Sequence, residues 1–194
     1  MDREEELARV AGLRQGDARA FGAVFEALRP RVFAFLIRLS RTRDTAEDLT
    51  QETFVRLAKA APNLSEDTHL LAFLLTVARN LYRSHRRWEM LDISRIFLFG
   101  GEHDEAVRAH DEKAHASRAL REVEAAMGTL SVAHREVLLL VAVEGLEHEA
   151  AARVLQIEGD ALRQRLSRAR KALSEELARR ERKGLPSKPE GRFS

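Results

Sequence analysis

The chain has 194 residues, enough for one medium domain or two small ones, with 33 Lys and Arg against 31 Asp and Glu. A hydrophobic content of 44% excludes a wholly disordered chain, and the lack of cysteine excludes disulfides and thiolate metal sites, which suits a reducing cytoplasm. The acidic start MDREEELARV predicts no secretory signal, and the longest apolar run, LLAFLLTVA, is far short of the ~20 residues of a membrane span, so no membrane insertion is expected.

Breakers then divide the chain into helices. EEELARVAGLR is followed by QGD, where Asp17 caps a second helix, ARAFGAVFEAL. Pro30 suits the first turn of a third, PRVFAFLIRLS. Asp44 or Thr45 caps AEDLTQETFVRLAKAA, which Pro62 ends. After the loop PNLSEDTH comes one long helical pattern, LLAFLLTVARNLYRSHRRW. LDISRIFLFGGEHD breaks the periodicity, and Gly100-Gly101 marks a linker. Helicity resumes before MGTL; Ser131 caps VAHREVLLLVAVEG, which Gly145 closes. LEHEAAARVLQ, a short break and DALRQRLSRARKAL follow, and KGLPSKPEGRFS reads as a disordered tail. The expected fold is all-α. Residues 1–92 form one helical domain, 93–115 a linker, 116–182 a helix-turn-helix domain and 183–194 the tail.

Three faces carry chemistry. In DALRQRLSRARKAL, Leu162, Leu166, Ala169 and Leu173 form an apolar stripe, while Arg163, Gln164, Ser167, Arg168 and Lys171 point away from it. A short helix, a turn and this basic helix make a helix-turn-helix pattern, whose second helix fits the major groove. Arginine can grip guanine edges or phosphates, glutamine adenine, and serine either. The bland alternative is a solvated basic face on an ordinary bundle helix.

A second cluster lies in ARNLYRSHRR. Phe73, Leu74, Val77, Leu81 and Trp88 share a core stripe, and Arg79, Arg83, Arg86 and Arg87 gather opposite, flanked by Asn80 and Thr76. Tyr82 and Trp88 read as core or boundary residues rather than platforms for unpaired bases. Two basic faces on two domains suit a protein that holds DNA at two sites. The third face is mixed: Ala46, Leu49, Thr53, Leu57 and Ala60 are the buried side of AEDLTQETFVRLAKA, with Asp48, Gln51, Glu52, Val55 and Lys59 outside. An acidic patch does not bind DNA, so it is either plain surface or a docking site for protein.

DTAEDLTQETFVRL followed by LLAFLLTVARNLYRSHRR resembles region 2 of bacterial RNA polymerase sigma factors of the extracytoplasmic-function type. LSVAHREVLLLVAVEGLEHEAAARVLQIEGDALRQRLSRARKAL resembles their region 4. The resemblance implies a sigma factor that binds core RNA polymerase and directs promoter-specific transcription initiation. By it, Asp48, Gln51 and Glu52 match the polymerase-docking face. Arg79, Asn80, Arg83, Arg86 and Arg87 match the helix at the start-proximal promoter element, and the loop from Asn63 and Leu64 to Thr68 would hold a flipped base. Arg163, Gln164, Ser167 and Arg168, with Lys171 beside them, match the helix at the upstream element. Partners implied are core polymerase, promoter DNA and an anti-sigma factor; no cofactor and no catalytic residue is implied. The family's usual Trp is here Phe73, and Glu147 and Ala150-Ala151 replace a Ser and a Glu-Ile pair, so a bulky contact is missing from region 4, and either loose packing there or an unusual upstream sequence is expected. Asp160 is expected to cap the recognition helix.

Two rivals remain at this level. A helix-turn-helix regulator acting without polymerase accounts for Leu146 to Leu173 but leaves the other two faces unused. A metal enzyme would draw on His103, His110 and His115 among Glu102, Asp104, Glu105, Asp111 and Glu112, but spacings of seven and five do not set three histidines on one helical face. No metal site is expected.

Overall fold

The computed structural model describes residues 2–97 and 118–184, with side chains at 2–89 and 120–182. Among the described residues every regular element is helical: α1 (Arg3–Arg14), α2 (Ala18–Ser40), α3 (Arg43–Ala60), α4 (Leu70–Phe97), α5 (Arg118–Thr129), α6 (Val132–Leu138), α7 (His148–Leu155) and α8 (Gly159–Gly184). The histidine cluster at 103–115 and the expected tail from 185 onward lie outside the described residues.

Helices α1 to α4 form the first unit. The chain leaves α1 through Gly16, whose φ of +75° suits the left-handed turn, and Asp17 accepts from the Arg19 N–H at 2.8 Å to start α2. One continuous helix stands where two were expected around Pro30. Val24, Leu28, Val32, Phe35 and Leu39 keep one buried stripe running through the proline, and Pro30 itself sits on the exposed side. The carbonyl it leaves without a helical donor is on the watered face. Helix α3 starts earlier than expected. Its N-cap is Thr42, whose side chain makes no capping bond, and Asp44 falls within the first turn.

A buried carboxylate from α1 organises the start of α4. Glu6, 5% exposed, accepts the Leu70 N–H at 2.9 Å and pairs with Arg3 at 3.0 Å. It serves as an N-cap supplied by another helix, satisfying a donor that α4 could not satisfy itself. Helix α4 then packs Leu70, Leu74, Leu75, Ala78 and Leu81 on the core and continues to Phe97, beyond the expected boundary at 92.

In the second unit, Ser131 caps α6 by accepting from the His134 N–H. The helix does not run regularly to Gly145 as expected. Residues Leu139–Val143 form a π turn, closed by Glu144 N–H to Leu139 O at 2.8 Å. The buried run from Arg135 to Leu140 spans the end of the regular helix and the start of this wider turn. Gly145, at φ +68°, leads into α7.

Expected loose packing of the second unit is not what the structure shows. Ala150, Ala151 and Ala152 are all buried, because α7 lies between α8 and α4 and small side chains let it approach both. The two units are therefore packed together. Arg31 Nε reaches Glu144 Oε2 at 2.9 Å, Arg38 reaches Glu124 at 3.3 Å, and Arg41 donates to Gly128 O at 3.2 Å.

Candidate polymerase and nucleic-acid interfaces

The basic face of α8 stands as its periodicity predicts. Leu162, Leu166 and Ala169 are at most 3% exposed, while Arg163, Gln164, Ser167, Arg168 and Lys171 are exposed. Gln156, in the left-handed region at φ 56°, ends α7 and turns the chain into α8. Asp160 does not cap α8, which begins at Gly159; it sits in the first turn and pairs with Arg163. Lys171 is 3.9 Å from Glu175, and Arg168 has no ion-pair partner among the described residues. A helix with an apolar underside and these cationic and amide groups outside can lie in a major groove and meet both phosphates and base edges.

The α4 face is smaller than the sequence suggests. Asn80, Arg83, Arg86 and Arg87 are exposed, but Arg79 is 2% exposed. Its Nε lies 3.1 Å from Glu136 Oε1, and its Nη1 donates to Val154 O at 3.2 Å. Burial pushes the guanidinium below its ordinary value and Glu136 opposes the shift. One turn nearer the start of α4 than Arg83, Arg79 falls where α6 and α7 cross it. In this arrangement it holds the second unit rather than facing solvent.

Trp88 also departs from expectation. It keeps the stripe's angular position but is 66% exposed, because α2 ends near Tyr82, whose hydroxyl donates to Leu39 O at 2.9 Å. Beyond that point the stripe has little left to pack on. The indole thus stands in the open beside Arg86 and Arg87, suitably placed to stack on a base.

In the loop before α4, Asn63 is exposed but Leu64, 6% exposed, is a core residue and offers no base contact here. The exposed part of the loop is tightly made. Ser65 bonds Asp67, Thr68 Oγ1 donates to Ser65 O at 2.7 Å, and the hydrogen bond from Ser65 holds the Asp67 carboxyl below its ordinary value. Helix α1 braces it: Arg14 pairs with Glu66 at 2.5 Å and Arg3 donates to Asp67 O at 2.9 Å. Sequence reasoning missed this bracing because it joins residues more than fifty positions apart.

On α3, Asp48 and Gln51 are exposed, and Glu52 is half-buried in an ion pair with Arg56 at 2.9 Å. Beside Gln51 and Val55 runs a groove of about 710 Å³ between α2 and α3, walled by Phe21, Phe25, Phe33 and Phe54. Phe25 meets Phe54 edge to face at 4.9 Å, and Arg29 lies over the Phe25 ring at 5.8 Å. Part of the signal was present: Phe21 and Phe25 are i,i+4 neighbours at the edge of the buried stripe of α2.

Among the described residues no cluster of side chains is arranged to hold a metal ion, and no helix is long and apolar enough to cross a membrane. Comparison with known proteins places both blocks. Residues 24–89 match the Sigma-70 region 2 family, and residues 120–173 match the Sigma-70, region 4 family. The ECF RNA polymerase sigma factor SigC of Mycobacterium tuberculosis is 33% identical over 172 residues, covering 89% of this chain and 91% of SigC. EcfG, an ECF RNA polymerase sigma factor of Rhodopseudomonas palustris, is 33% identical over 148 residues, or 75% of this chain and 78% of EcfG. Among solved structures, the sigma factor RpoE of Bartonella quintana, crystallised with the anti-sigma factor NepR, matches with a TM-score of 0.74 at 28% identity, over 83% of this chain and 98% of RpoE. With its region 2 and region 4 in order, the chain belongs to the extracytoplasmic-function RNA polymerase sigma factors, which bind core polymerase and direct it to promoters.

Proposed function

We propose that the three faces divide the work of initiation. Helix α8 reads the upstream element in closed duplex through Arg163, Gln164, Ser167, Arg168 and Lys171. Asn80, Arg83, Arg86 and Arg87 of α4, with Asn63 and the loop after it, hold the start-proximal element where strands separate. Arg79 joins that face once the second unit moves away, and Leu64 supports the loop from below. Asp48, Gln51 and Glu52 on α3 dock on core polymerase. The units are the two domains expected from the sequence, with α4 carrying the first to Phe97. The carrying observation is that exposed cations form separate faces on helices of different units, α4 and α8, while the α3 face is mixed, with Asp48 exposed and Glu52 paired to Arg56. Unpaired bases need phosphate clamps and stacking, whereas closed duplex is read from its groove, so one chain uses two surfaces.

The packed arrangement is a resting state in which Glu136 and Val154 occupy Arg79. Polymerase and promoter bind the separated units better and draw the population towards them, as a differential affinity must. An anti-sigma partner would favour the packed arrangement; the likeness to RpoE in its complex with NepR supports this reading. The chain acts without catalysis of its own, in the cytoplasm beside polymerase. Reversing charge at Asp48 and Glu52 tests the docking face. The double variant should lose competition for core polymerase and in vitro transcription while keeping its helical content; undiminished competition refutes the assignment.

A further inference from the structure

A second cavity, of about 270 Å³, lies where the two units meet. Three guanidiniums line it from three places in the chain: Arg41 after α2, Arg86 on α4 and Arg135 on α6. Against them stands one carboxylate, Glu89, which is itself 3.1 Å from His85 Nε2. Thr42 and Thr45, at the start of α3, complete the polar wall.

Arg135 is the unusual member. It is 8% exposed, and its Nη1 donates to the carbonyls of Leu39 at 3.2 Å and Arg38 at 3.4 Å. Its Nε has no hydrogen-bond partner, and no carboxylate pairs with it among the described residues. Burial lowers its affinity for a proton; Tyr82 opposes this, and Arg41 and Arg86 add to it by like-charge repulsion. A buried guanidinium with no counter-charge is an expensive arrangement, and such groups are ordinarily paired. Thr42 Oγ1 is likewise buried without a partner, and the Thr42 side chain makes no capping bond to α3. Asp44, in the first turn of α3, is exposed and does not line the cavity. At ~30 Å³ of liquid per water, the space accommodates a tetrahedral oxyanion with several waters.

We propose that this cavity binds a phosphate group, either free phosphate or a small phosphomonoester. The ligand supplies the negative charge that Arg135 lacks and accepts from the Thr42 hydroxyl. Because α6 provides Arg135 while the earlier helices provide the rest, an occupied site favours the packed arrangement. That last consequence rests on the resting-state reading above; the binding itself does not.

Calorimetry on the full chain tests it, with inorganic phosphate, glycerol phosphate and chloride at matched ionic strength. Saturable phosphate binding is expected, weakened about tenfold to a hundredfold by Arg135→Gln, as loss of a charged hydrogen bond implies, and also weakened by Arg41→Gln. Tighter binding of glycerol phosphate identifies a monoester site; binding of inorganic phosphate alone identifies a free-phosphate site. If Arg135→Gln fails to fold by circular dichroism, Arg41→Gln and Thr42→Val carry the test. A response no different from that to chloride, or undiminished binding in the folded variants, overturns the proposal. Scattering with and without phosphate reads the packing separately: binding without contraction leaves the site standing and removes only its link to the resting state.

Discussion

Arg79 and Arg168 carry the same charge on the same kind of helix and meet opposite surroundings. Arg168 stands in water with no ion-pair partner among the described residues, so its charge is open to solvent. Replacing it with alanine should cost about 1–3 kcal/mol of promoter binding if it grips a base edge. The preference at that one position of a randomised upstream element would then relax, and a uniform loss across sequences would mark a phosphate contact instead. Arg79 shows the limit of periodicity. The spacing of Arg79, Arg83 and Arg86 put all three on one face, and that placement was sound, but nothing local announced that α6 and α7 would cover one of them. Gly12 is a quieter case. A Cβ there would lie 2.6 Å from Ala20 Cβ, so Gly12→Ala should separate α1 from α2. An overpacking cost of about 1–3 kcal/mol is expected, read as a lower urea midpoint.

At the level of elements, the breakers were read correctly where their chemistry is local. Asp17 and Ser131 cap their helices, because an N-cap needs only a side-chain oxygen and a nearby amide. Pro30 misled because its effect depends on which face of the helix it occupies, and that depends on the buried stripe continuing on both sides. The cap on α4 was illegible for a different reason: Glu6 is supplied from α1. The far end of α8 offers a pH test of a similar long-range tie. The hydrogen bond from Arg179, with a second from Arg180, lowers the Glu176 carboxyl to about 2, while Arg180 also donates to Ala125 O of α5 at 3.2 Å. The folded value lies below the ordinary carboxylate value of 4.5, so the contribution is complete above that pH and is lost as the pH falls towards about 2. Amide protection in α5, taken relative to the intrinsic exchange rate at each pH, should fall over that interval, and Glu176→Gln should flatten the pH dependence.

For the whole molecule, the two-unit all-α fold was legible and the contact between units was not. Hydrophobic periodicity reports which side of a helix is apolar. The contact between units instead relies on polar groups such as Arg31 with Glu144 and Arg79 with Glu136, which look like ordinary surface charge in sequence. The two members of the second pair are 2% and 4% exposed at their side chains. Breaking a buried pair by removing one partner costs about 3–5 kcal/mol, whereas replacing both with apolar groups is close to neutral. Glu136→Gln should therefore enlarge the radius measured by small-angle scattering, and Arg79→Met with Glu136→Leu should return it towards the parent value. An unchanged radius in the single variant would show that other contacts hold the units.

That same ion pair bears on how the protein travels before it meets polymerase. Every arginine on an open face is a liability on a chromosome, because non-specific affinity grows with each phosphate neutralised, by a salt-dependence slope of roughly 0.9 per contact. A chain that keeps Arg79 folded against its own carboxylate meets bulk DNA with one cation fewer. Non-specific duplex binding by Glu136→Gln should accordingly be stronger, and fall more steeply with salt, than that of the parent chain.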